Sequence, residues 1–97
     1  MMVLITYDIS LVDKGGARRL RNVAKLCLDY GMRVQYSVFE CEVNPDQWVL
    51  LKAKLLATYD ANIDSLRFYI LGSKFKNKIE HFGAKTVPDI FRDSLIV

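Results

Sequence analysis

The pattern of apolar residues along this 97-residue chain predicts an α+β fold, a ferredoxin-like βαββαβ sandwich with an additional C-terminal strand. Three observations carry that expectation. Runs rich in β-formers open the chain and recur near residues 65–71. Two stretches with apolar residues at helical spacing follow the first run and precede the last. Between those helices, an alternating segment changes parity partway, as two strands joined by a tight turn would.

Residues 2–8 read as a buried strand ending on Tyr7 and Asp8. Asp13 is placed to cap the next helix, and Gly15-Gly16 loosen the turn before it. Over residues 17–30, Leu20, Val23, Ala24 and Cys27 form an apolar stripe opposite Arg18, Asn22, Lys25 and Asp29. Gly31 is the expected stop just past the last turn. In residues 33–43, Val34, Tyr36 and Val38 share one parity and Phe39, Cys41 and Val43 the other. Two short antiparallel strands bent at Tyr36-Ser37 are favoured, with a single bulged strand as the alternative.

Asn44-Pro45-Asp46-Gln47 combines a cap residue, a first-position proline and an acid and amide in the first turn, a strong helix start. Trp48, Leu51 and Leu55 continue its apolar stripe towards Tyr59, and Asp60-Ala61-Asn62 is a turn. Residues 65–71 form a strand with Leu66, Phe68 and Ile70 on one face and Arg67 and Tyr69 on the other. Residues 1–72 therefore make the ferredoxin-like core. Residues 73–97 read as a C-terminal arm, with Lys74, Lys76 and Lys78 alternating with Phe75, Asn77 and Ile79, a fifth strand suited to pairing with a partner protomer.

The length suits one domain with a modest core, so association with a second copy is expected. No apolar run approaches membrane-spanning length, and the opening run lacks the basic start of a signal peptide, which points to a cytoplasmic protein with no membrane partner. Cys27 and Cys41 are not spaced as C-x-x-C, and the lone His81 completes no zinc pattern. Both thiols are expected in the core.

Net charge is only +3, but it is unevenly distributed. Residues 14–33 carry Lys14, Arg18, Arg19, Arg21, Lys25 and Arg33 against Asp29 alone, a balance of +5. Residues 67–85 carry +4, and the intervening residues 40–64 carry −3. Two basic blocks around an acidic one fit a surface that meets a polyanion, although ordinary solvated faces would look the same.

Asp8 is the acid delivered by a strand to the rim of the predicted sheet, and it is the candidate catalytic and metal-binding residue. Magnesium takes oxygen ligands, keeps several waters, and binds through one or two carboxylates plus substrate phosphates. One carboxylate per chain makes a weak site, and a twofold dimer bringing two copies of Asp8 together makes a better one. A bland alternative is that Asp8 only caps the turn after the strand. Arg18, Arg19 and Arg21 fall in the early turns of the first helix, where positive charge opposes the helix dipole at about a few tenths of a kcal/mol each. Arginine in that place fits phosphate, whose geometry matches its planar fork. Tyr7, Tyr36, Phe39 and Tyr69 could stack on bases or pack in the core, and no Walker loop or RNA-recognition octapeptide is present.

Tyr7-Asp8-Ile9, the arginine-rich first helix, Asp29-Tyr30-Gly31 and the stretch Arg33-Val34-Gln35-Tyr36-Ser37-Val38-Phe39-Glu40 together resemble the CRISPR-associated protein 2 family across essentially the whole chain. The resemblance implies a ferredoxin-like homodimer of CRISPR adaptation whose C-terminal strand completes the partner's sheet. It implies a magnesium-dependent endonuclease acting on RNA or DNA, with one Mg2+ shared by two Asp8 residues. It places Arg18, Arg19 and Arg33 in nucleic-acid binding, with Phe39 in support; the residue pattern itself adds Arg21 to the binding residues and Tyr7 to the supporting ones. It also implies a second role, a non-catalytic DNA-binding adaptor that bridges dimers of the CRISPR-associated integrase during spacer acquisition. A toxin-like ribonuclease of the same fold is a third expectation.

Overall fold

In the computed structural model, residues 1–72, 80 and 82 are described. The elements are β1 (Met2–Asp8), α1 (Gly16–Leu28), β2 (Gly31–Gln35), β3 (Val38–Glu42), α2 (Pro45–Thr58) and β4 (Ser65–Leu71). They build a four-stranded antiparallel sheet in the order β2-β3-β1-β4, the ferredoxin-like arrangement. The expected fifth strand and arm lie outside the described residues. No described helix is long and apolar enough to cross a membrane.

One face of the sheet is covered by both helices. Val3, Ile5 and Tyr7 of β1 and Phe39 and Cys41 of β3 meet Val23, Ala24 and Cys27 of α1 and Trp48, Leu51 and Leu55 of α2 in a single core. Trp48 packs edge-on against Phe68 at 4.9 Å, closing the β4 side. Side chains alternate along a strand, and directly opposed residues share a face. The register Leu4↔Glu40, Leu4↔Tyr69, Thr6↔Val38, Thr6↔Arg67 and Asp8↔Ser65 therefore puts all of these on the other face, which no described helix covers. Ile70 shares the helix-side face with Phe68, as expected, yet remains exposed.

The parity switch resolves as the favoured hairpin. Gln35 pairs with Val38 around a Tyr36-Ser37 turn, and a register shift between Arg33 and Gln35 adds a bulge in β2. The start of α2 is also as expected: Asn44 accepts from Gln47 N at 2.8 Å, and the Gln47 amide oxygen accepts from Asn44 N at 2.9 Å.

Three local expectations change. Asp13 does not cap α1: the cap is Gly15, with no side-chain cap bond, and the Asp13 carboxylate turns to Arg19 instead. Gly16 is needed for close approach, since a Cβ there would lie 2.1 Å from the carbonyl oxygen of Ser10. Gly31 is not a left-handed helix stop but the first residue of β2. A Cβ on it would lie 2.1 Å from Glu40 O of the neighbouring strand.

Cys27 and Cys41 are free and buried, with the Cys41 thiol 3.7 Å from the Cys27 carbonyl oxygen. Burial raises both thiol pKa values to about 12, so they rest as inert thiols of the core.

Candidate metal and nucleic-acid site

Asp8 closes β1, and its carboxylate is exposed on the face that no described helix covers. It lines a shallow depression of about 200 Å³ with Thr6, Tyr7, Ser65, Leu66 and Arg67. Arg67 stands diagonally across the ladder, its guanidinium 5.2 Å from the centre of the Tyr69 ring. A hard carboxylate oxygen with open space beside it suits a hydrated magnesium ion. One chain supplies too little for a closed cage: the described residues contain no group of three His, Cys, Asp or Glu able to hold a metal.

The residues flanking Asp8 are firmly held. Before it, Tyr7 N donates to Ser37 O at 3.2 Å and the Tyr7 hydroxyl donates to Tyr36 O at 3.2 Å, tying the strand end to the hairpin tip. Tyr7 also stacks on the buried Phe39, with ring centres 6.1 Å apart. Burial raises the Tyr7 phenol above its usual pKa, with Arg33 pulling the other way. Beyond Asp8, the backbone N–H of Ser10 donates to Asp64 Oδ1 at 2.9 Å.

The arginines divide into separate roles. Arg18 and Arg21 are exposed on α1, in the helix layer and thus across the sheet from Asp8. Arg33 lies on edge strand β2 with its guanidinium 5.1 Å from the Phe39 ring centre, beside a depression of about 190 Å³ formed by Arg33, Val34, Gln35 and Tyr36. Tyr36 is 88% exposed at the hairpin turn.

Arg19 is different. Its Nε donates to Asp64 Oδ2 at 2.7 Å, its Nη1 to Asp13 Oδ2 at 2.7 Å and its Nη2 to Asp13 Oδ1 at 2.9 Å. The Arg19 side chain is 15% exposed and that of Asp64 has no exposed surface. Arg19, expected among the phosphate-facing arginines, thus has its donors engaged by two carboxylates of its own chain. Those carboxylates also supply, from outside the helix, the negative charge that the first turn of α1 lacks. Asp64 is one of five acids in residues 40–64, and no local motif marks it.

Arg19 hydrogen bonds hold the Asp13 carboxyl down to about 2 and that of Asp64 below its usual value. A carboxylate whose folded pKa lies below its unfolded value contributes stability above the unfolded value, and that stability is lost as pH falls through the folded one. The thermal midpoint should therefore hold steady down to about pH 5 and drop between about pH 4 and 2. Melts of Arg19→Ala should show a shallower acid dependence in that window, and an identical one would remove the Arg19 pairs as its cause.

With this geometry in place, comparison with known proteins decides the family. Residues 1–79 match the family model of CRISPR associated protein Cas2. The chain belongs to the Cas2 family.

Among its Cas2 relatives, the CRISPR-associated endoribonuclease Cas2 of Nitratidesulfovibrio vulgaris is 60% identical over 89 residues, covering 92% of this chain and 87% of that protein. The CRISPR-associated endonuclease Cas2 of Halalkalibacterium halodurans is 52% identical over 96 residues, 99% of each chain. The crystal structure of Streptococcus pyogenes Cas2 at pH 6.5 superposes with a TM-score of 0.75 at 51% identity, covering 86% of this chain and 100% of that one. A hypothetical protein from Thermus thermophilus superposes at 0.71 with 30% identity, over 91% and 96% of the two chains. The Cas2 fold thus agrees with the ferredoxin-like sheet described above.

Proposed function

We propose that this protein is a homodimeric, magnesium-dependent endonuclease of CRISPR defence, acting on RNA or DNA phosphodiesters. The observation that carries the reading is the direction of Asp8. Strand alternation puts its carboxylate at the rim of the one sheet face that no described helix covers. Leu4, Val38, Tyr69 and Leu71 share that face with Glu40, Glu42 and Arg67, a mix of apolar and charged side chains suited to receiving a second copy. A twofold axis through it would turn one carboxylate into two.

Asp8 from each protomer would then hold the ion, with water completing its shell. Bound there, magnesium supplies Lewis-acid polarisation of a phosphodiester. The chain's own groups do the rest. Ser65 offers a hydroxyl donor along the depression, the Thr6 hydroxyl donates to Arg67 O at 3.5 Å, and Arg67 places positive charge beside it. The names of the relatives, endoribonuclease and endonuclease, support phosphodiester cleavage.

The test is cleavage of single-stranded RNA and duplex DNA by the purified protein, with magnesium and with a chelator. Cleavage restricted to magnesium supports the reading. Its absence on both substrates, in a dimeric preparation, refutes it.

One observation favours a second role, that of a DNA-holding adaptor for the CRISPR-associated integrase. The exposed Arg18 and Arg21 lie in the helix layer, on a different surface from Asp8. A basic surface separate from the carboxylate can hold a duplex whether or not the chain cuts it. Each phosphate contact contributes about −0.9 to the slope of log affinity against log salt. Replacing both arginines by alanine should flatten the duplex-binding slope by about 2, measured by fluorescence anisotropy over a salt series. An unchanged slope would place the DNA elsewhere.

A further inference from the structure

The β1–β4 ladder ends at the pair Asp8↔Ser65. Asp64 lies next to Ser65, and Ser10 lies two residues past Asp8. The Asp64 side chain has no exposed surface, and both its oxygens are fully used. Oδ1 accepts from Ser10 N at 2.9 Å and from Arg19 Nη2 at 3.3 Å. Oδ2 accepts from Arg19 Nε at 2.7 Å and from Asp60 N at 2.9 Å. Arg19 Nη2 in turn donates to Ser10 O at 3.3 Å. One ion pair therefore holds both main-chain polar groups of Ser10. Gly16 lets α1 pack directly on the same carbonyl.

We propose that Asp64, acting through Arg19 and Ser10, is the positioning residue for Asp8. The strand is pinned on one side of Asp8 by the bonds from Tyr7 to the hairpin tip and on the other by the Asp64–Arg19 pair, while the carboxylate between them stays exposed. A ligand contributed once by each protomer has no neighbour in its own chain to correct its aim, so backbone placement has to do so. Groups that orient a metal ligand from behind typically carry tenfold to hundredfold effects on metal affinity. This inference rests on the proposed metal role of Asp8, and it removes Arg19 from phosphate recognition.

The test compares Asp64→Asn, Arg19→Lys and Arg19→Ala with Val43→Ala, a core cavity beside the Met2↔Glu42 pair at the other end of the sheet from Asp8, as the control for lowered stability. Three quantities are measured: magnesium binding by calorimetry, amide hydrogen exchange at Ser10, and nucleic-acid affinity in chelator over a salt series. Asp64→Asn and Arg19→Ala should raise the magnesium dissociation constant by about tenfold or more. They should speed Ser10 exchange and leave the metal-free salt slope unchanged. Arg19→Lys, still able to bridge the two carboxylates, should recover part of the loss. Val43→Ala should leave the magnesium constant at the wild-type value.

The proposal is overturned if Arg19→Ala flattens the salt slope by about 1 with magnesium binding unchanged, because Arg19 would then be gripping phosphate. It is equally overturned if Val43→Ala weakens magnesium as much as Asp64→Asn does, or if Ser10 exchange is the same in every variant. Should the wild-type protein itself bind no magnesium, the metal reading of Asp8 fails. The clamp at Ser10 is then judged by exchange alone.

Discussion

Replacing Asp8 with alanine is expected to abolish magnesium-dependent cleavage and leave the dimer folded. The carboxylate is exposed at a strand end, so its loss opens no cavity and strands no buried partner. Stability should change by no more than about 0.5 kcal/mol, as for other surface positions. Catalysis is a different matter. A metal polarising a phosphoryl oxygen supplies several kcal/mol of transition-state stabilisation, and about 3 kcal/mol already corresponds to more than a hundredfold in rate. The two protomers would lose their ligands together, so no half-site remains. Cleavage rates, melting temperature and sedimentation of the same preparation check the three parts. Undiminished cleavage by the purified variant would remove Asp8 from the mechanism. Duplex binding in chelator should survive, since Arg18 and Arg21 lie on another layer.

The largest effect on stability is expected at Asp64. Alanine there removes four hydrogen-bond acceptances and leaves Arg19, only 15% exposed, with half its charge partners gone. Removing one member of a buried pair costs about 3–5 kcal/mol, because the remaining charge and donors stay desolvated. That is a large share of the roughly 5–15 kcal/mol that holds a typical domain together. Urea denaturation at neutral pH measures it. Asp13→Ala provides the comparison: its carboxylate is partly exposed, and water can replace it at Arg19. A loss at Asp64 no greater than that at Asp13 would mean that Arg19 is held by Asp13 and solvent rather than by the buried acid.

Much of this molecule is legible in its residues. The cap at Asn44 and its reciprocal bond with Gln47 are written within four positions, and the hairpin at Tyr36-Ser37 within a parity change. The stripes of Val23, Ala24 and Cys27 and of Trp48, Leu51 and Leu55 announce the face that becomes the core. Such features depend on neighbours in the chain, so periodicity and capping rules reach them. The same rules failed at Asp13, Gly16 and Gly31. There the deciding contact is the distant guanidinium of Arg19, the loop at Ser10 or the neighbouring strand at Glu40.

Asp8 and Arg19 mark the division most clearly. The sequence by itself determined the order of the elements, the family, and an acid at the end of the first strand beside a basic helix. Only the tertiary structure decided that Asp8 opens onto the sheet face that no described helix covers, and that Arg19 is bound to an acid 45 residues away. A helix whose first turn carries arginine reads as a phosphate site only while its own segment is considered. Folding brings Asp64 to the same place and buries it there, and a buried carboxylate requires a cation as strongly as phosphate does.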